Sequence, residues 1–332
     1  MYTVKLFAVI FLIKFPSYSA GQLIAVETAA KLPKRLAHSA ACYDEDDSIF
    51  IFGGWEEESA PNYESDKILR YNISTDSIET MPTILPVGVM HGSVVMDNLG
   101  NFYYLGGYTV NEESRAIFKY SPVDGVITEI LNMHQSVVQP GGSFNWNATT
   151  AFFFAGGYVP KSILKFDTEA NTINEVAELP LEFDQVAVFW DDIFEFAYIF
   201  GSRRNSSDDP SEIMDRPIIV FNPVSENRIG VIDLTYSAIT GPTRTVSDSR
   251  YGYALGGFEP YDSLMRFDPV SFDVEYLPVT NHPGASEDGL TKFWGTSVVY
   301  VAKLGRIYFF GGFSTGSSGD IWHNKIWFIQ TN

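Results

Sequence analysis

Apolar residues fall along this chain in short runs that end in glycine, not in helical stripes. The runs are SIFIF, NFYYL, TAFFFA, FAYIF, RYGYAL and RIYFF. Each is four to six residues of mainly aromatic and aliphatic side chains, bounded by Gly, Pro, Asn or Asp, which is a strand signal. Beyond the N-terminus no stretch keeps a 3.6-residue period over helix length. The terminal glycines are Gly53-Gly54, Gly106-Gly107, Gly156-Gly157, Gly201 followed by Ser202, Gly256-Gly257 and Gly311-Gly312. A second marker follows each after a variable loop: ILRYN, IFKYS, ILKFD, IIVFN, LMRFD and a looser IWFI. A third is a closing strand that runs into proline, as in SIETMP, NEVAELP and VEYLP. The repeat period is therefore about 50 residues, room for four short strands and the size of one propeller blade. One such sheet cannot bury both faces, whereas sheets stacked around an axis can. Paired glycines suit a crowded strand end that needs φ > 0 or close backbone approach.

The diglycine after a hydrophobic strand, the aromatic strand that follows and the Leu-Pro exit resemble the kelch family. Its leading segment is clearest in LPKRLAHSAACYDEDDSIFIFGG, with Arg35 and His38 at positions where that family often carries Arg and His. His91 in ILPVGVMHGSVV matches His38. The fourth repeat departs most, with Ser202 for a glycine and the long loop SRRNSSDDPSEIMDRP. The expected fold is all-β: a six-bladed kelch β-propeller over residues 22–332. The sixth repeat ends after KIWFI, one strand short, and QLIAVETAAKLP has strand character ahead of the first repeat. The N-terminal strand is therefore expected to complete the C-terminal blade and close the ring.

The first residues, MYTVKLFAVIFLIKFPSYSAGQ, read as an export signal over residues 1–20. Lys5 precedes an apolar run, and small residues follow at Ser17, Ser19, Ala20 and Gly21. That run is too short for a bilayer, which needs about 20 residues. The expectation is a secreted chain without membrane insertion after cleavage. Sequons at Asn72, Asn147 and Asn205 fit an extracellular glycoprotein. Lys and Arg total 22 against 41 Asp and Glu, a formal charge of −19 over 332 residues. So negative a surface argues against a nucleic-acid partner and favours basic or cationic ones. The single Cys42 excludes a disulfide framework. It reads as a buried, unreactive thiol.

In a four-stranded blade the one-to-two and three-to-four turns share one face, here called the first. The two-to-three loops and inter-blade links share the second, through which kelch proteins, by resemblance, usually bind partners. The sequons at Asn72 and Asn147 would crowd the first face, and the two-to-three loops vary most in length. The expected ligand is a protein or a glycan. An aromatic follows the glycines in five repeats, as Trp55, Tyr108, Tyr158, Phe258 and Phe313. These form either a ring at the channel mouth, able to stack on a sugar or peptide side chain, or regular repeat packing. Arg203 and Arg204 break the repeat and are candidates for recognising an acidic group. Arg35 joins them as a candidate.

No HExxH, phosphate loop, catalytic triad or metal-ligand spacing is present, so no catalytic residue, metal or cofactor is expected. His38 and His91 occupy equivalent repeat positions, which points to a structural role. The alternative is a carbohydrate-active enzyme on the same scaffold, resembling secreted six-bladed sialic-acid epimerases. Ionisable groups with strongly displaced pKa values at the channel mouth would favour the enzyme. A broad apolar or charged loop surface would favour a protein partner.

Overall fold

The computed structural model describes residues 23–57, 63–133, 138–156, 161–180, 183–203, 217–233, 244–256, 260–286, 289–290, 292–316 and 319–331. The segment read as an export signal lies outside them, as do Gly157, Tyr158, Arg204, Asn205, Gly257 and Phe258.

The chain is an all-β propeller. Blade I pairs Ala40–Tyr43, Ser48–Phe52, Lys67–Asn72 and Ser77–Ile84 in chain order. Blade II runs from Ser93–Met96 to Val126–Asn132, blade III from Val138–Asn147 to Thr172–Glu178, and blade IV from Phe183–Asp191 to Asn227–Asp233. Blade V runs from Arg244–Ser247 to Val274–Thr280. Blade VI takes Ser297–Val301, Arg306–Phe310 and Lys325–Gln330, and its outer strand is Leu23–Lys31 from the N-terminus. That strand pairs antiparallel with the last one, Val26 opposite Phe328. Its other edge pairs in parallel with blade V, Leu23 opposite Val279, which fuses blades V and VI into one eight-stranded sheet.

The alternation of side chains explains the stacking. Ile49 and Ile51 pack with Tyr308 and Phe310 of blade VI, while Phe50 and Phe52 pack with Phe102 and Tyr104 of blade II. Equivalent buried clusters join blades II–III, III–IV, IV–V and V–VI. Each middle strand thus buries both faces, which is why these runs are continuously apolar.

The turn formers act through one geometry. Asp167, Asn222 and Asp268 each accept two backbone N–H groups at the following turn through Oδ1. Asp44, Asp97, Asp191 and Asp248 do the same in one-to-two turns. These are Asx turns, and they account for the acidic run beginning at Asp44.

Gly53-Gly54 and Gly311-Gly312 sit where their blades meet the next inter-blade link. The N–H of Gly54 donates to Val89 O at 2.7 Å, and that of Gly312 to Leu36 O at 2.8 Å. Gly311 has φ +60°, and a Cβ there would lie 2.0 Å from Leu36 O.

Candidate functional site

On the second face, the loops after the diglycines do more than connect. Leu36–Ala37 pairs with Trp55–Glu56. Phe313–Gly316 forms a three-stranded sheet with Lys292–Trp294 and Gly319–Trp322. These small sheets were not anticipated. The sequence FSTGSSGDIW does carry their signal, a Gly/Ser turn between aromatic ends.

They bring aromatics of blades I and VI together. Trp55 packs edge-on against Trp322 at 5.3 Å and Tyr63 at 5.9 Å between ring centroids. Phe313 stacks on Trp322 at 5.0 Å and lies 4.9 Å from Trp294. Phe313 is buried, whereas Trp55 and Trp322 are half-buried and Tyr63 is exposed. Tyr108 is half-buried and edge-on to His91, one blade away. The post-glycine aromatics therefore divide between packing and surface. Around the exposed part stand Glu57, paired with Arg35 at 2.7 Å, and Glu56, paired with Lys34 at 2.7 Å. Arg35 is thus an exposed member of an ion pair at this rim. Arg203 ends a strand opposite Phe183, away from this group in the ring.

Beneath the aromatics, the inter-blade links are bonded to one another. The N–H of His38 donates to Gly295 O at 2.6 Å, and that of His91 donates to His38 O at 2.9 Å. Both residues have φ near the left-handed region, 56° and 58°. Their rings lie 4.0 Å apart, and Nδ1 of His38 is buried without a hydrogen-bond partner. Burial, and then the nearby Arg244 charge, push His91 down to about 3. His38 is held well below the usual imidazole range by burial, then by His91 and Arg244. The equivalence of these two residues was legible in the repeat, and their direct contact was not.

The axis of the ring is a cavity of about 410 Å³ lined by first strands of blades I, II, III, V and VI. Each of those strands is an edge of its sheet, so the free edges of the first strands face the axis. Arg244, at the second-face end of this channel, crosses it. It begins the first strand of blade V, opposite Leu255. Its Nη2 donates to Gly92 O of blade II, across the ring, at 2.8 Å, and reaches within 3.5 Å of Ser39 O. Ser297 Oγ donates to the same Ser39 O at 2.8 Å. The Gly92 N–H donates to Tyr104 Oη at 3.0 Å, and burial raises the Tyr104 phenol and lowers the Arg244 guanidinium from their ordinary values. Cys42 also lines the channel, half-buried where full burial was expected, and its thiol is pushed up to about 12 by burial.

The first face carries the two described sequons. Asn72 Oδ1 accepts bonds from Ser74 and Thr75, and Asn147 Oδ1 accepts the Thr149 N–H. Exposed apolar side chains stand on separate turns of this face, at Leu99, Val123, Ile193, Phe194, Val224 and Val270. They are spread over the turns of blades II, IV and V.

The sequence matches no family model, and no curated protein matches it either.

Proposed function

We propose that this chain is a secreted binding module of kelch type whose ligand, a protein or a glycan, docks on the second face. The observation that carries this reading is the aromatic group of Trp55, Tyr63 and Trp322, presented by small sheets from two adjacent blades. Amphipathic aromatics on a rigid scaffold are the usual anchors of an interface. The net charge of −19 over the whole chain favours a basic or neutral ligand. The resemblance to kelch repeats and the sequons on the opposite face support the same orientation.

The test compares the exported protein with Trp55→Ala and Trp322→Ala as bait in extracellular medium and on a glycan array. Partners that bind the native protein and are lost from both variants, with melting temperature preserved, support the reading. Binding unaffected by either change overturns it.

The group of His38, His91 and Arg244, with pKa values displaced by burial, favours a second reading, a carbohydrate-active enzyme. Both imidazoles are, however, nearly sealed from solvent, at 6% and 8% exposure. Turnover of sugar anomers or epimers that is abolished in Arg244→Gln would establish that reading.

A further inference from the structure

We propose that Tyr63 is a modification site, whose hydroxyl receives a sulfate ester as the chain is exported. Sulfate is added in the secretory pathway, so this site rests on the reading of the chain as secreted, and it gives the aromatic surface a charge of its own.

Access singles out this residue. Among the described tyrosines Tyr63 is the exposed one, at 38%, and the others are buried or half-buried. Its hydroxyl makes no hydrogen bond to a described residue. The ring is edge-on to Trp55 at 5.9 Å, and the backbone oxygen accepts the Glu56 N–H at 2.7 Å, which holds the phenol at the surface of the second face. The sequons at Asn72 and Asn147 lie on the opposite face, so sugars there leave Tyr63 uncovered.

The flanking charges suit the transferase. Glu56 and Glu57 precede Tyr63, Glu64 and Asp66 follow it, and no Lys or Arg stands between Arg35 and Lys67. Lys34 and Arg35, the cations at this rim, are paired with Glu56 and Glu57. An enzyme that holds an anionic adenosine phosphosulfate needs a basic cleft, and such a cleft attracts an acidic segment.

Sequence alone would favour Tyr43, which Asp44, Glu45, Asp46 and Asp47 follow directly. The fold withdraws that residue. Tyr43 is half-buried, its hydroxyl donates to Asp46 O at 2.6 Å, and Lys303 lies over its ring at 5.9 Å. Access and acidic flanks coincide at Tyr63.

The transfer balances without oxidation or reduction. Tyr63 Oη attacks the sulfur of the adenosine phosphosulfate, and the new O–S bond forms as the bond from sulfur to the donor's phosphate oxygen breaks. Adenosine bisphosphate leaves with the bonding pair, and the phenolic proton passes to a base of the transferase. The product carries a permanent negative charge beside Trp55, positioned for charge-assisted bonds from Arg or Lys of a basic partner.

The full chain secreted from animal cells, with and without chlorate to block synthesis of the donor, is digested and analysed by mass spectrometry. The Tyr63 peptide is expected to carry a sulfate group on the majority of exported molecules, removed by arylsulfatase and not by phosphatase. The group is expected to disappear with chlorate, and Tyr43 to stay unmodified. In a second arm the folded protein meets a purified tyrosylprotein sulfotransferase and adenosine phosphosulfate, and label should enter the native chain but not Tyr63→Phe. Exported protein with unmodified Tyr63, sulfate on Tyr43 in its place, or equal labelling of native and variant chains overturns the proposal and leaves the secreted reading standing. A chain retained inside the cell overturns both.

Discussion

Acid sensitivity follows directly from the buried imidazoles. His91 and His282 are both pushed down to about 3 by burial. His282 Nδ1 accepts the Gly284 N–H at 2.9 Å, so its neutral form is the one built into the fold. In the unfolded chain each returns to a value of about 6.5. The folded state thus binds fewer protons than the unfolded state throughout the window between these values. Their contribution is fully present above about pH 6.5 and is lost as pH falls toward about 3. Between pH 7 and pH 5, each buried imidazole removes about 2 kcal/mol. The pair removes about 4 kcal/mol, a large part of the 5–15 kcal/mol typical of a folded domain. His38, displaced in the same direction, steepens the decline. The informative substitution is His91→Asn, because Asn tolerates the left-handed φ of 58° and does not titrate. Urea unfolding at pH 7, 6 and 5 should show native stability falling with acid, and the variant should fall by about 2 kcal/mol less over that range. Arg244 and His38 face this ring, and neither carries a negative charge that would offset its protonation. Parallel pH profiles for native and variant proteins would refute the argument, since they would mean that His91 is protonated in the folded state.

Three further outcomes concern the ring itself. Gly311→Ala introduces a Cβ against Leu36 O at a positive φ, and is expected to destabilise by more than about 1 kcal/mol in urea titration; unchanged stability would mean that the diglycine corner is not crowded. Asp76 accepts the N–H groups of Ala29 and Ala30 and the hydroxyl of Tyr71, tying the N-terminal strand to blade I. Asp76→Ala should cost about 1–3 kcal/mol, and deletion of residues 23–33 should lower the melting temperature of the whole fold in calorimetry. A truncated chain that melts at the native temperature would show that closure contributes nothing.

The blades were readable because each repeat solves a local problem in the same way. The SIFIF run, apolar at four consecutive positions from Ile49 to Phe52, implies a strand buried on both sides, and Ile49, Phe50, Ile51 and Phe52 are divided between two neighbouring blades. The N-terminal strand was readable because the sixth repeat lacks one. Its parallel pairing with blade V was not, since Leu23 and Val279 meet only through the angle between two complete blades. The site was harder for the same reason. Trp55 and Trp322 lie in short strands of different blades, and neither segment's composition says that the two rings meet. Arg244 carries a signal, an arginine where blades I, II, IV and VI hold Ala or Ser, but that signal appears only after strand register aligns the repeats. Residues chosen for position after the glycines, such as Phe313, include some that serve packing.

The doubly bonded N-terminal strand also orders events during synthesis. Leu23–Lys31 is the first of the described strands in chain order, yet both its partners belong to the last two blades of the ring. Blades I to IV can assemble as the nascent chain lengthens, but the ring stays open until Lys325–Gln330 emerges and claims the waiting strand. Through that interval the nascent protein carries an unpaired edge at each end, so chain elongation and protection from aggregation are coupled by its topology.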